Sequence, residues 1–196
     1  MEEEDLLCCR FPHLTFCGCL VKCEIAMKDV YPFEVFLFFH SYLNHLNKVY
    51  QGLFIGGLKT AYATKALLRN GVTHILNVSS NEYTKRPKYF KYLTIDIYDS
   101  NDEDIKKHFR ITNRFISESL KNNGKILIHD ISGKSRAPAF ALAYLINVAK
   151  IPLKIGFEML MNSMVEKPEI NHYFMKQLEQ YDLENLANVS SKKRNL

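Results

Sequence analysis

The chain has 196 residues, a hydrophobic fraction of 47%, a charged fraction of 24% and a net charge of +5. This length suits one domain with short extensions, and the composition is that of an ordinary globular protein. The weak positive charge is no footprint of nucleic-acid binding, and no apolar run is long enough to form a transmembrane segment.

The N-terminal part of the chain is rich in cysteine. All five cysteines lie there, at Cys8, Cys9, Cys17, Cys19 and Cys23. An odd number of cysteines after an acidic start argues against a disulfide framework and favours a cytoplasmic or nuclear protein. Free thiols in a loosely ordered extension are the favoured interpretation. Palmitoylation, which would give weak membrane association, and zinc binding stay open, although no paired C-x-x-C spacing is present.

Apolar patterning predicts strands that alternate with helices. The runs that resemble strands are residues 53–55, 74–78, 92–97 and 125–128. The segments with helical character are residues 60–69, 102–120, 138–149 and 153–165. This alternation predicts an α/β fold with a central, mostly parallel sheet of four to five strands flanked by helices.

Several residues are expected to begin or end these helices. Thr60 and Asp102 are predicted N-caps, and Gly71 is predicted to stop the first helix in the left-handed conformation. In the helix over residues 153–165, Ile155 is expected to face the core. The aromatic stretch of residues 31–50 is expected to pack on the domain as a helix.

Residues 129–136, with the sequence His-Asp-Ile-Ser-Gly-Lys-Ser-Arg, form the most informative stretch, and we call them the signature loop. The loop follows an apolar strand and precedes an almost wholly apolar helix, with Pro138 in its first turn. The free N–H groups and the dipole at such a helix start favour an anion, and Arg136 adds a planar donor suited to phosphate.

The signature loop resembles the His-Cys-x-x-Gly-x-x-Arg signature of the cysteine-dependent protein tyrosine phosphatases. With Ser135 and the sequence Ala-Tyr-Leu-Ile at residues 143–146, it is most similar to the dual-specificity branch. Residues 50–57, 71–78 and 167–178 resemble that branch's opening strands and closing helix. The resemblance implies a phosphatase-like domain over residues 48–185, an N-terminal extension over residues 1–47 and a polar basic tail over residues 186–196.

The resemblance also implies roles for individual residues. Asp130 stands at the position of the nucleophilic cysteine, Asp99 at that of the general acid, and Ser135 beside the leaving nucleophile. The residues that would bind phosphate are Ile131, Ser132, Gly133, Lys134, Ser135 and Arg136. His129 would support the loop, and neither a metal nor a cofactor is implied.

Asp130 decides the functional hypothesis, because a carboxylate is a much weaker nucleophile than a thiolate toward a phosphate monoester. The first interpretation is a pseudophosphatase that binds signalling proteins, phosphorylated or not. It resembles the phosphoserine/threonine/tyrosine-interacting pseudophosphatases.

The alternative interpretation is an active phosphatase whose cysteine has been replaced by Asp130 in this sequence. Direct hydrolysis through Asp130 is disfavoured by its weak nucleophilicity. A nucleotide-binding loop is excluded because Ile128 stands where that motif requires glycine.

Overall fold

A five-stranded sheet forms the centre of the protein in the computed structural model, which describes residues 46–80, 85–121 and 123–194, with side chains up to residue 187. The strands are β1 (Asn47–Tyr50), β2 (Leu53–Gly56), β3 (Val72–Asn77), β4 (Lys91–Thr94) and β5 (Lys125–His129). Their spatial order is β1-β2-β5-β3-β4. Only β1 runs antiparallel to its neighbour, so the predicted fold class is confirmed.

Helices cover both faces of the sheet. They are α1 (Leu58–Tyr62), α2 (Thr64–Arg69), α3 (Phe109–Lys121), α4 (Arg136–Asn147), α5 (Leu153–Ser163) and α6 (His172–Arg194). Successive side chains of a strand point to opposite faces. Accordingly, Ile126 and Ile128 of β5 join the core formed with α3 to α6, whereas Leu127 joins a smaller cluster with α1 and α2.

Helix α4 is the most buried of the described helices. Every residue from Arg136 to Ile146 is buried, and Pro138 lies in the first turn as predicted. Such a helix has no polar face, which is why the sequence from Ala137 to Ile146 is almost wholly apolar. The start of α4, and therefore the signature loop before it, is held inside the core.

Three local predictions are wrong. Thr60 does not cap a helix, because α1 begins at Leu58 and the predicted single helix is broken at Ala63, where ψ is 57°. Asp102 is not a cap either, since the carboxylate of Asp104 accepts the N–H of Lys106 at the start of a short 3₁₀ helix. Ile155 is 47% exposed, because Leu153, Gly156 and Leu160 form the inner face of α5.

The ends of the chain also differ from expectation. The last part of the aromatic stretch is not helical but forms β1, whose pairing with β2 overrides its local pattern. Residues 31–45 of that stretch and the five cysteines lie outside the described residues. Helix α6 begins at His172 and continues to Arg194, through most of the predicted tail. The domain boundaries at residues 47 and 185 stay predictions.

Among the described helices, none combines the length and the apolar character that a membrane crossing requires.

Candidate functional site

The signature loop lies at the carboxyl edge of the sheet. The last residues of β2 and β3, Gly56 and Asn77, both pair with His129 at the end of β5. The N–H of Val78 also donates to the carbonyl oxygen of His129 at 2.9 Å. Three strand ends therefore meet where the loop begins, which is the usual place for a ligand site in a parallel sheet.

The loop packs tightly on the turn that follows β2. Gly133 has a φ of +82°, and a Cβ atom there would lie 2.7 Å from the carbonyl carbon of Gly56 and 2.8 Å from the nitrogen of Gly57. The N–H of Leu58 donates to the carbonyl oxygen of Ile131 at 3.0 Å. Glycine at position 133 is thus required both by backbone conformation and by space.

The side chain of Asp130 lies inside the loop. Asp130 is fully buried, and one carboxylate oxygen accepts the N–H of Gly133 while the other accepts the N–H of Ala137 at 2.9 Å. The second of these N–H groups belongs to the first turn of α4, where a negative charge is stabilised by the helix dipole. The Asp130 carboxylate therefore already accepts hydrogen bonds from N–H groups at the start of α4.

The guanidinium of Arg136 donates a hydrogen bond through one nitrogen but not through its Nε. Its Nη1 donates to the carbonyl oxygen of Ile97 at 2.8 Å, and its side chain is only 6% exposed. Its Nε lies 4.0 Å from the Oδ2 of Asp99, and among the described residues it has no hydrogen-bond partner. A buried guanidinium with an unused donor at the loop is suited to an anion.

Asp99, Ser135 and Arg136 lie close together beside the signature loop. The Ser135 hydroxyl donates to the Oδ1 of Asp99 at 3.0 Å. The Nδ2 of Asn171 donates to the same oxygen at 3.3 Å, and the backbone N–H of Asn171 donates to the Ser135 hydroxyl at 3.1 Å. The Asp99 side chain is 35% exposed, so it remains in contact with solvent above the loop.

The remaining loop residues form its outer side. Ile131 and Ser132 are exposed, and the hydroxyl of Ser132 accepts the N–H of Lys134 at 3.2 Å. The Nζ of Lys134 lies 3.1 Å from Glu166 and 3.7 Å from Glu169. Lys134 therefore pairs with carboxylates of the connection between α5 and α6.

His129 is buried beneath the loop. Its Nδ1 lies 3.2 Å from the carbonyl oxygen of Asp130. Burial lowers the pKa of His129 from 6.5 to about 4, although the contact with the Asp130 carbonyl raises it slightly. The imidazole is therefore neutral near pH 7, which suits a structural support of the loop better than a cation that attracts phosphate.

Asn171, just before α6, and Gln177, within α6, hold the Asp99 segment in place, a role that the sequence does not predict. Asn171 joins Asp99 to Ser135 and also accepts the N–H of Tyr173, as an N-cap does. Gln177 accepts the N–H of Ile105 at 2.9 Å and donates to the carbonyl oxygen of Glu103. An asparagine before a helical pattern is a recognised cap signal, but the contact of Gln177 with a segment about 70 residues earlier has no local signal.

The sequence also matches a family model over most of the described domain. Residues 53–184 match the catalytic domain of the dual specificity phosphatases. The chain belongs to this family. The signature loop and Asp99 both lie inside the matched region of this dual specificity phosphatase domain.

Individual members of the family align at moderate identity. A probable dual specificity protein phosphatase of Dictyostelium discoideum is 34% identical over 72% of this chain, which spans only 35% of that protein's length. Dual specificity protein phosphatase 22-A of Danio rerio is 30% identical over 74% of the chain and 68% of its own length. The serine/threonine/tyrosine-interacting protein of Mus musculus is 32% identical over 97% of the chain and 80% of its own length.

Solved structures of the family have the same fold. Human DUSP28 superimposes with a TM-score of 0.67 at 28% identity, covering 71% of this chain and 93% of that one. The human tyrosine phosphatase-like serine/threonine/tyrosine-interacting protein also gives a TM-score of 0.67, at 30% identity, and covers 71% of this chain and 97% of that one.

Proposed function

We propose that this chain is a pseudophosphatase, a dual specificity phosphatase domain that binds signalling proteins through its signature loop without hydrolysing phosphate esters. The observation that carries the proposal is the burial and hydrogen bonding of the Asp130 side chain. Its buried carboxylate accepts two backbone N–H groups of the loop and of the first turn of α4. A role in the cytoplasm or nucleus is part of the same proposal.

The chemistry supports the absence of turnover. Hydrolysis in this family requires a strong nucleophile at the position where the chain has Asp130, and a carboxylate is much weaker than a thiolate toward phosphorus. The Asp130 carboxylate also accepts hydrogen bonds from donors that would otherwise stabilise a phosphoryl group. Both effects raise the barrier for attack on a phosphate monoester.

The same geometry predicts how a phosphorylated partner would bind. The Nε of Arg136 is an available donor, whereas the N–H groups of Gly133 and Ala137 are used by Asp130. Phosphate must therefore compete with the internal carboxylate, so that a partner needs contacts beyond its phosphate group to bind tightly. The related mouse protein is named for interacting with serine, threonine or tyrosine, which agrees with a binding role.

A silenced phosphatase is the second candidate, favoured by a separate observation. Ser135 donates to Asp99 at 3.0 Å, and Arg136 lies 4.0 Å from the same carboxylate. These three residues would serve as leaving-group partner, general acid and phosphate clamp if the nucleophile were cysteine. Two other relatives are named dual specificity phosphatases.

A paired assay separates the two candidates. The unmodified chain and the variants Asp130→Cys and Asp130→Ser are compared on p-nitrophenyl phosphate and on a phosphotyrosyl peptide. We expect no turnover by the unmodified chain or by Asp130→Ser, which offers a small side chain without a thiolate. Turnover by Asp130→Cys would favour a silenced phosphatase, and its absence would favour a binding domain alone. Turnover by the unmodified chain would overturn both.

Binding of an oxyanion tests the competition directly. We expect Asp130→Ser to bind tungstate at least roughly tenfold more tightly than the unmodified chain, a difference of about 1.4 kcal/mol, because its loop donors are free. Isothermal titration measures both affinities, and Arg136→Met in the Asp130→Ser background is the control that should lose binding. Equal affinities would show that Asp130 does not compete for the site.

A further inference from the structure

A groove runs between α5 and α6, and none of the residues that line it belongs to the signature loop. Its volume is about 610 Å³. The lining residues are Leu153, Lys154, Phe157, Glu158, Met175, Glu179, Asp182 and Leu183.

The helical spacing explains why these residues face one another. On α5, the exposed and half-buried lining residues Lys154, Phe157 and Glu158 are three and four positions apart, which is one face of a helix. On α6, the lining residues begin at Met175 and recur four, seven and eight positions later, ending at Leu183. Two matched stripes therefore form the walls of the groove.

The floor of the groove is apolar, and one apolar side chain stands at its edge. Phe157 and Met175 are partly buried and pack against the main core, and Leu153 is 8% exposed beneath them. Leu183 is 68% exposed, more than any other large apolar residue that the structure describes. Covering an exposed leucine beside an apolar floor with a second apolar surface is favourable, because it removes apolar surface from water.

The walls carry negative charge. Glu158 and Glu179 are exposed, and among the described residues neither forms an ion pair. Asp182 accepts the N–H of Leu153 at 3.2 Å, at the start of α5. These three carboxylates and Lys154 give the groove a net charge of −2, opposite in sign to the +5 of the whole chain.

We propose that this groove binds an amphipathic helix of a partner protein, one that presents apolar side chains flanked by lysine or arginine. An apolar floor between two helices is the usual receptor for the apolar face of a third helix. The carboxylates on both walls then select basic flanks and disfavour acidic ones. This surface acts separately from the signature loop and requires neither phosphate binding nor turnover.

Peptide selection on the full chain tests the proposal. Random 16-residue peptides displayed on phage are selected on the immobilised protein, and the recovered peptides are synthesised and measured by fluorescence anisotropy. We expect a group of peptides with apolar residues at helical spacing and with lysine or arginine beside them. Their affinity should fall at least roughly tenfold, about 1.4 kcal/mol, for Leu183→Asp and for the double variant Glu158→Lys with Glu179→Lys.

Two controls assign the effect to the groove. Leu68→Asp introduces the same change at a leucine of α2 that is 42% exposed, and it should leave the affinities unchanged. Asp130→Ser should also leave them unchanged, because it alters only the signature loop. Circular dichroism confirms that each variant remains folded.

Several results would overturn the proposal. One such result is that the selected peptides lack basic residues. Another is that their affinity is insensitive to both groove variants, and a third is that no groove-dependent peptide is recovered. Concentration-dependent dimerisation of the chain that Leu183→Asp abolishes would also overturn it, since the occupant would then be a second copy.

Discussion

At the scale of single residues, His129 links the signature loop to the stability of the domain. It is fully buried, and burial lowers its pKa to about 4. In the unfolded chain a histidine titrates near 6.5, so below that pH the unfolded state binds a proton that the folded state does not. Because its folded pKa is depressed, His129 contributes stability above pH 6.5 that is lost as the pH falls toward 4.

We predict that the unmodified chain loses about 2 kcal/mol of unfolding free energy through His129 between about pH 7.5 and pH 5. Urea unfolding at several pH values measures the total change in unfolding free energy with pH. The same measurement on the His129→Gln variant gives the change that other groups contribute. The slope of stability against pH should therefore be shallower for His129→Gln. NMR titration of the His129 imidazole in the unmodified chain gives its pKa directly, and a value near 6.5 would contradict the prediction.

Some residues of the candidate site are predictable from the sequence, and others are not. The loop residues are contiguous and follow a recognisable strand, so the sequence predicts that they cluster, whereas Asp99 is indicated only by the resemblance to the phosphatase family. The network around Asp99 was not predictable, because Asn171 and Gln177 reach it from a helix start and a helix face about 70 residues away. Long-range side-chain contacts of this kind leave no periodic signal in one sequence.

At the scale of the secondary-structure elements, the signature loop lies close against the turn that follows β2. Gly133 of the signature loop and Gly71 before β3 both have positive φ, +82° and +75°. A Cβ on Gly71 would lie no closer than 3.5 Å to the flexible side chain of Lys125, whereas one on Gly133 would meet the backbone of Gly56 at 2.7 Å. The same substitution therefore separates backbone strain from steric overlap.

We predict that Gly71→Ala lowers the unfolding free energy by about 1 to 2 kcal/mol, the cost of a left-handed alanine. Gly133→Ala should lower it by at least about 3 kcal/mol, because the backbone of the turn after β2 must also move. Urea unfolding of both variants checks the difference. Equal losses of unfolding free energy would mean that the signature loop and the turn after β2 can move apart without cost.

The differences between the predicted and observed elements have a common cause. The expected helix over residues 60–69 is interrupted at Ala63, and residues 47–50 form β1 where the sequence predicts a helix. In both places the local pattern suits a helix, but packing against the sheet decides the backbone. The parallel strands were predictable because their apolar runs are bounded by glycine or polar residues.

At the scale of the whole molecule, α6 closes the core with one face and exposes the other. Phe174 and Leu178 are fully buried against the main core, while Leu183 is 68% exposed at the groove. The helix therefore carries two leucines in opposite environments within about one and a half turns.

We predict that Leu178→Ala lowers the unfolding free energy by about 3 kcal/mol, because it leaves a cavity in the core. Leu183→Ala should change it by less than about 0.5 kcal/mol, since the side chain has little contact to lose. Thermal and urea unfolding of the two variants measure the contrast. A large loss for Leu183→Ala would mean that this side chain belongs to the core, which would also remove the basis for the α5–α6 groove.

The burial of α4 has a consequence for the history of such a domain. The loop begins at the central strand and ends in a helix that has no exposed face between Arg136 and Ile146. Selection for folding alone would therefore preserve most of the loop's shape, even in a lineage that no longer needs turnover. Under the proposed function, an aspartate at position 130 would remove the nucleophile without disturbing this architecture, which would stay available for binding other proteins.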